Sequence, residues 1–225
     1  MAVIPTDRDR SFWNCAASFP PNKEEVYAPH HAEAHEFDLH AGKRILEYGC
    51  GGGSDAMSFI RRGCAVTYTD IVPGNVATAR LRIQQAFDME SGSDGIVLVN
   101  SNEIPVPDAS FDVVSSHGVV HHIKDPFPVV NEFYRILKPG GLVYIMLYSE
   151  QLRAEGDAHV QRFMQHFGIT EAEAFGYFTD GVGTPHAIPY TEQEGWDLIE
   201  FAGFERRDCV MSNGDRFRTF RARKP

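Results

Sequence analysis

Glycines concentrate in one loop of the chain, within the run Glu47-Tyr48-Gly49-Cys50-Gly51-Gly52-Gly53 between a predicted strand and a predicted helix. Glycine is needed where a backbone turns sharply or where a ligand comes close to it. The carboxyl end of a first strand is also where doubly wound α/β sheets bind ligands. Asp70 ends the next predicted strand, 21 residues after Gly49, and its carboxylate can accept hydrogen bonds from both hydroxyls of a ribose. Together these features predict a nucleoside-containing cofactor.

The spacing of the glycines separates two classes of nucleoside cofactor. The pyrophosphate-binding fingerprint of dinucleotide enzymes is GxGxxG/A, whose last small residue lets the helix pack close to the strand. Counted from Gly49, that sixth position is Ser54, whereas Gly49, Gly51 and Gly53 satisfy the spacing GxGxG. The loop therefore fits the dinucleotide class poorly.

The elements that position this loop alternate between strand and helix. The predicted strands are 44–48, 65–69, 95–99, 111–116 and 142–148, and the predicted helices are 54–62, 73 to about 89, and 126–137. The strands are almost continuously apolar, which is typical of a parallel sheet covered by helices on both faces. The run Lys138-Pro139-Gly140-Gly141 is predicted to turn the chain into the fifth strand.

The C-terminal part predicts a helix followed by an antiparallel pair of strands. Thr191 as N-cap with Glu194 at the third helical position forms a capping-box pattern, and the helix runs to Ala202. Two further strands, 204–211 and 216–222, are joined by a turn containing Asn-Gly, which favours a hairpin.

Two segments lie outside the alternating pattern. Residues 1–42 are interpreted as an N-terminal helical extension that caps the active site. Residues 149–190 form an insertion with glycine near its end, predicted to be either a substrate lid or a structural cap over the sheet edge. The whole chain, 1–225, is expected to be a single domain.

Composition limits the possible partners and compartments. The net charge is −10, which disfavours nucleic acid and anionic membrane surfaces as partners. The cysteines show no disulfide or metal spacing, and no apolar run is long enough to span a membrane, so a soluble, cytoplasmic protein is expected. The oligomeric state stays open. Basic residues crowd the C-terminus and are interpreted as a solvated hairpin surface.

The chain resembles the class I S-adenosylmethionine (SAM)-dependent methyltransferases of the small-molecule type. The resemblance covers roughly residues 43–220. It depends on the glycine loop, on Asp70, and on three further runs: Ile104-Pro105-Val106-Pro107-Asp108-Ala109-Ser110-Phe111-Asp112, Val119-Val120-His121-His122, and Arg135-Ile136-Leu137-Lys138-Pro139-Gly140-Gly141. It implies an α/β, Rossmann-like, seven-stranded sheet, mostly parallel with an antiparallel C-terminal hairpin strand and helices on both faces.

The resemblance also implies a set of cofactor contacts. The backbone at Gly49, Gly51 and Gly53 would lie beside the methionine part and the ribose of SAM. Glu47 would face the ammonium group, although it could instead serve only as a partner for the helix dipole. Asp70 would hold the ribose, Ile71 would lie against the adenine, and the backbone carbonyl of His117 would accept from the ammonium. The adenine amino group would be read at Asn100, where the family mostly has Asp, with Ser101 and Asn102 as neighbouring candidates.

Methyl transfer from SAM is an in-line displacement, so the enzyme mainly orients the reactants and excludes water. A base is needed only where the acceptor arrives protonated. His117, His121 and His122 crowd the end of the fourth strand and are the candidate bases. Tyr148, His186 and Tyr190 are expected to line the pocket of a small-molecule acceptor with an O, N or C nucleophile.

Other classes of function remain as alternatives. A SAM-using enzyme could instead cyclise the aminobutyryl chain of SAM, because a fold does not fix a function. His31 and His35, four residues apart and with His30 beside them, could share a metal ion, although no third ligand with fixed spacing is evident and no metal is expected. A nicotinamide-dependent dehydrogenase fits the glycine spacing less well.

Overall fold

The computed structural model describes residues 10–13, 32–87 and 94–225. The strands are β1 (Arg44–Tyr48), β2 (Ala65–Asp70), β3 (Asp94–Val97), β4 (Phe111–His117), β5 (Leu137–Tyr148), β6 (Glu205–Ser212) and β7 (Phe217–Arg223). The α-helices between β1 and the end of the chain are α1 (Ser54–Arg61), α2 (Pro73–Phe87), α3 (Phe127–Ile136), α4 (Glu150–Glu155), α5 (Asp157–Phe167), α6 (Glu171–Asp180) and α7 (Glu192–Phe201).

The strands of the described part form one seven-stranded sheet in the order β3-β2-β1-β4-β5-β7-β6. The pairs from β3 through β5 are parallel, and β7 pairs antiparallel with both β5 and β6. The predicted fold class is therefore confirmed. The order reverses between β1 and β4, and in such sheets ligands bind at the carboxyl ends of the strands at that point.

Two apolar cores cover the two faces of the sheet. On one face, α3 and α7 pack on the larger core, which contains Phe133, Trp196 and Phe220. On the other, α1 and α2 pack on the core around Phe59 and Tyr68. The central strands are thereby covered on both faces, and the loops after β1 and β4 project from their carboxyl ends.

The predicted bounds of two strands were wrong. β3 ends at Val97, not at residue 99: the Leu98 amide makes the last ladder hydrogen bond, to the carbonyl of Asp70 (2.8 Å), and Val99 is 80% exposed. β5 begins at Leu137, not at Leu142. The predicted turn there belongs to the strand, because the register with β4 shifts between the pairs Phe111–Leu137 and Val113–Leu142.

The insertion at 149–190 contains α4, α5 and α6 followed by a loop. Its two ends meet beside β5, where Ser149 and Tyr190 form a bridge and the Tyr190 amide donates to the carbonyl of Tyr148 (2.8 Å). Its apolar residues Val160 and Phe175 share a third core with Tyr148. The insertion is thus anchored on the carboxyl end of β5.

The capping box and hairpin at the C-terminal end are confirmed. Thr191 Oγ1 accepts from the amide of Glu194, whose carboxylate accepts from the amide of Thr191. Asn213, Gly214 and Asp215 have positive φ in the turn between β6 and β7. None of the helices in the described ranges is both long and apolar enough to cross a bilayer.

Candidate active site

The loop after β1 is held against β2 by its backbone. The amides of Gly49 and Cys50 both donate to the carbonyl of Thr69 (2.9 and 2.8 Å). Gly49 has a φ of +77°, and a Cβ added there would meet Val119 Cγ2 at 2.3 Å. This close approach explains why the position needs glycine.

Gly51 needs glycine for a different reason. Its φ is +50°, and a Cβ added there meets nothing within 4 Å among the described residues. Its amide donates to Asp70 Oδ2 (2.9 Å). An open space beside the loop and a carboxylate at the end of β2 fit the ribose and methionine part of a nucleoside cofactor such as SAM.

Replacing Gly49 or Gly51 with alanine should affect stability and cofactor binding differently. Gly49→Ala should lower the free energy of unfolding by about 2–4 kcal/mol, because it combines a positive φ with a clash against Val119. Gly51→Ala should lower it by only about 1 kcal/mol, the cost of the left-handed backbone, yet weaken S-adenosylhomocysteine (SAH) binding. Urea unfolding and calorimetry on both variants check this. Equal losses of stability would contradict it.

Asp70 lies at the point where β2 ends, with its carboxylate buried. Oδ1 accepts from the amide of Val72 and Oδ2 from the amide of Gly51, both at 2.9 Å. Burial raises the pKa of this carboxyl group, while hydrogen bonds from Val72, Gly51, Asn75 and Ile71 oppose the rise. The carboxylate therefore fixes the glycine loop against the end of β2.

The residues predicted to surround the adenine follow β2 and β3. Ile71 is half-buried and packs against the larger core. Asn100 Oδ1 accepts from the amide of Asn102 (2.9 Å), and the carbonyl of Ser101 accepts from the hydroxyl of Tyr48 (2.7 Å). Asn102 Nδ2 is buried and has no acceptor in the described part of the chain. The loop is thus fixed by the side chain of Asn100 and by Tyr48 of β1.

Glu47 and His117 lie on one face of the sheet. Glu47 of β1 is buried and is paired in register with Ser115 of β4, two residues before His117. Because side chains alternate along a strand, Ser115 and His117 point to the same side. His117 Nδ1 lies 3.1 Å from His35 Nε2, so the ring of His117 contacts a residue of the segment that precedes β1.

The adjacent histidines at the end of β4 differ in their surroundings. His121 is fully buried, its ring stacks on Tyr148 with centroids 3.7 Å apart, and neither ring nitrogen has a hydrogen bond within the described residues. Burial, with His122 and His186 nearby, lowers the pKa of His121 far below its ordinary value. This geometry is that of a neutral packing residue.

His122 is oriented by the insertion. Its Nδ1 lies 2.7 Å from the carbonyl of His186, which can only accept, so Nδ1 carries a proton. Nε2 lies 3.6 Å from Asp180 Oδ2, and the two side chains are only 8% and 10% exposed. Burial lowers the pKa of His122, opposed by Asp180 and by the bond to His186. A neutral His122 therefore directs a lone pair toward a carboxylate, an arrangement that attracts a proton donor.

Asp180 is held in turn by two hydroxyl groups. Tyr148 donates to Oδ1 (3.0 Å) and Thr179 donates to Oδ2 (2.6 Å). The ring of Trp13 packs against His122 with centroids 4.7 Å apart. Tyr190 is buried, and burial raises the pKa of its hydroxyl. Tyr148, His186, His122 and Asp180 thus meet in one cluster above the ends of β4 and β5.

Sequence reasoning missed Asp180 and the contact of His35 with His117. Asp180 lies in the insertion, where no periodic pattern fixed a position. His35 had been considered only with His30 and His31, which lie outside the described residues, as a possible metal ligand. The described residues hold no cluster of three or more metal-ligating side chains.

The basic residues at the C-terminus are paired with acidic groups or carbonyl oxygens. Arg206 pairs with Glu200, Arg207 with Glu36, Arg216 with Glu155, Arg218 with Glu150, Arg221 with Glu36, and Arg223 with Glu205. Lys224 donates to the carbonyls of Tyr134 and Leu137. The hairpin therefore presents paired charges.

Part of the chain matches a known protein family. A family profile described as a methyltransferase domain matches residues 46–145. The ubiquinone biosynthesis O-methyltransferase of Paracidovorax citrulli (strain AAC00-1) is 34% identical over 119 residues, covering 50% of this chain and 47% of that protein. The chain spans about half the length of the curated relatives it matches.

Solved structures share the fold over nearly the whole chain. The putative methyltransferase solved in complex with the Haloferax volcanii Trm112 methyltransferase activator has a TM-score of 0.69 at 16% identity, covering 95% of this chain and 97% of that one. The Burkholderia thailandensis 1,6-didemethyltoxoflavin-N1-methyltransferase, with bound 1,6-didemethyltoxoflavin and SAH, has a TM-score of 0.62 at 18% identity, covering 96% and 79%. The methyltransferase-domain match at residues 46–145, the O-methyltransferase relatives and the shared fold support a SAM-dependent methyltransferase family for this chain.

Proposed function

We propose that this chain transfers the methyl group of SAM to a nucleophile of a small molecule by in-line displacement, with a hydroxyl group as the best-supported acceptor. The observation that carries this proposal is the buried pair of His122 Nε2 and Asp180 Oδ2, 3.6 Å apart. A base is useful only for an acceptor that arrives protonated, and a hydroxyl group is such an acceptor. A nitrogen or carbon nucleophile is the next choice.

The cofactor would be held along the ends of β1, β2 and β4. Asp70 would accept from the ribose hydroxyls, and the backbone at Gly49, Gly51 and Gly53 would lie beside the methionine part. Glu47 and the carbonyl of His117 would face the ammonium, while Ile71, Asn100 and Ser101 would surround the adenine. When bound, SAM supplies an electrophilic methyl group on a good leaving group.

The proton of the acceptor would pass to His122. Nδ1 already carries a proton, so Nε2 is the basic atom, and protonation there gives an imidazolium next to Asp180. Tyr148 and Thr179 hold Asp180 in place for this task. His121, buried without hydrogen bonds in the described part, is assigned to packing beneath Tyr148.

Aromatic residues would wall the acceptor site and exclude water. Trp13 packs on His122, and Phe12 lies 3.4 Å from the Cβ position of Gly183 in the insertion. Arg10 donates to the carbonyl of Val99 at the adenine side. Residues 10–13 therefore support the proposal that the N-terminal extension caps the site, together with the insertion that provides Asp180. Tyr148, Tyr190 and His186 complete the wall.

A small molecule is favoured over a macromolecule on two grounds. The Paracidovorax relative is named for ubiquinone biosynthesis, and the Burkholderia structure is titled with a bound small molecule. The chain has a net charge of −10, and its C-terminal arginines are paired, which disfavours a polyanion.

The free thiols of Cys50, Cys64 and Cys209 support a cytoplasmic location.

The nucleoside product tests this proposal against the cyclisation alternative. Methyl transfer leaves SAH, whereas cyclisation of the aminobutyryl chain would release 5′-methylthioadenosine. The purified protein is incubated with SAM and a panel of phenols, catechols, carboxylic acids and amines, and the products are separated by chromatography. Acceptor-dependent SAH is expected. Acceptor-independent methylthioadenosine would overturn the proposal.

A further inference from the structure

A segment of the N-terminal extension is fastened to the face of the sheet that carries Glu47 and His117. Arg221 of β7 donates to the carbonyls of Ala34 (2.9 Å) and Glu33 (2.6 Å). The Glu36 carboxylate accepts from the hydroxyl of Tyr144 (2.5 Å) and pairs with Arg207 (2.9 Å). These contacts hold the backbone on both sides of residue 35 in place.

His35 is fully buried by this docking and contacts β4 through both ring nitrogens. Nδ1 lies 2.8 Å from Ser115 Oγ, and Nε2 lies 3.1 Å from His117 Nδ1. Its ring also stacks on Tyr144, with centroids 5.8 Å apart. Ser115, His35 and His117 therefore form a continuous hydrogen-bonded chain that ends at the carboxyl edge of β4.

A hydrogen bond between two neutral imidazoles imposes a matching condition. One of the two facing nitrogens must carry the proton and the other must not. If His117 Nδ1 donates, His35 carries its own proton on Nδ1; if His35 Nε2 donates, His117 carries its proton on Nε2. The two rings must therefore be the same tautomer, and Ser115 can serve either case because a hydroxyl group both donates and accepts.

We propose that His35 is a positioning residue of the active site, which fixes His117 in one tautomer and thereby decides whether His117 Nε2 offers a donor or an acceptor to the cofactor cleft. The role in the cleft rests on the function proposed above; the pairing rests on the geometry alone. The same contact limits the pair to one positive charge. If both rings were protonated to imidazolium, the N–H groups of His117 Nδ1 and His35 Nε2 would face each other.

Other ionisable groups face this pair and are unchanged in both His35 variants. They are Glu47 of β1, paired in register with Ser115; Tyr144 of β5; Arg221 of β7; Arg207 of β6; and Glu36 and His40 of the segment itself. His40 Nε2 contacts the backbone carbonyl of His35 (3.2 Å) and takes no part in the contact between the rings of His35 and His117. It therefore provides a matched control from the same segment.

The test is nuclear magnetic resonance of the full chain labelled with ¹⁵N at histidine, as wild type and as the variants His35→Phe, His35→Gln and His40→Phe. In the wild type, we expect His35 and His117 to show one and the same tautomer and coupled titration. In His35→Phe, His117 should become a mixture of tautomers, and its titration should lose the coupling seen in the wild type. His35→Gln, whose amide can donate to or accept from His117 Nδ1, should keep this hydrogen bond without a second titrating ring, and His40→Phe should leave His117 unchanged.

Opposite or mixed tautomers in the wild type would overturn the inference, even if no variant folds. So would a His117 titration that is equal in wild type and His35→Phe, or one moved as far by His40→Phe. SAH binding, measured on the same samples by calorimetry, separates the two proposals. Unmatched tautomers with intact SAH binding would refute the role of His35 only, whereas matched tautomers without SAH binding would refute the proposed function only.

Discussion

Replacing Asp70 with alanine is expected to weaken the binding of SAM and SAH by about 100-fold or more. Hydrogen bonds to a charged group contribute about 1.5–3 kcal/mol each, and two ribose hydroxyls would lose their acceptor at once. The variant also removes the acceptor of the amides of Gly51 and Val72, so the glycine loop loses one of its supports. Each tenfold loss corresponds to about 1.4 kcal/mol.

Isothermal calorimetry with SAH measures this loss, and Asp112→Ala is the matched control. Asp112 is a partly buried carboxylate of the same sheet, at the start of β4, where it pairs with Lys138 and accepts from the amide of Arg44. Its removal should lower stability without changing SAH affinity. Equal affinity of wild type and Asp70→Ala would contradict the assignment of the ribose site.

Replacing His122 with glutamine is expected to slow methyl transfer by about 100- to 10,000-fold, the range that a positioned general base contributes. SAH affinity should stay within a few-fold, because the proposed role of His122 is toward the acceptor. Glutamine keeps a polar side chain of similar length but cannot accept the proton. The matched control is His166→Gln on α5, an exposed histidine outside the cluster.

The rate of methyl transfer should change with pH in a defined direction. Burial holds the pKa of His122 below its ordinary value, and Asp180 raises it. Turnover needs the neutral ring, so the rate should fall as the pH drops through this pKa and reach a plateau above it. Asp180→Asn removes the raising influence and should move the acid limb to lower pH. A pH profile shared by wild type and His122→Gln would contradict the role of His122.

The fold could be predicted where local chemistry decides structure. Alternating apolar strands and helices, the glycine loop and the Asn-Gly turn each specify their conformation within a few residues. The capping box of Thr191 and Glu194 was predicted to the residue, because both its hydrogen bonds lie within one helical turn. Of the proposed cofactor contacts, the glycine loop and Asp70 follow from their places after β1 and at the end of β2, whereas the others depend on the family resemblance.

The acceptor side could not be predicted because its contacts join distant parts of the chain. Asp180 meets His122 across 58 positions and His35 meets His117 across 82. No local pattern encodes such pairs. The start of β5 was missed for a related reason: Gly140 and Gly141 hydrogen bond with Lys224 near the end of the chain, so a turn-like sequence is drawn into the sheet.

The most direct test of the central claim follows the methyl group itself. The protein is incubated with SAM labelled with ¹³C in its methyl group and with the acceptor panel, and the products are examined by carbon magnetic resonance and mass spectrometry. The account predicts an acceptor-dependent label on the oxygen of a small hydroxyl compound, lost in His122→Gln and in Asp70→Ala. Label that enters only added protein or nucleic acid, or that remains in methylthioadenosine, would contradict it.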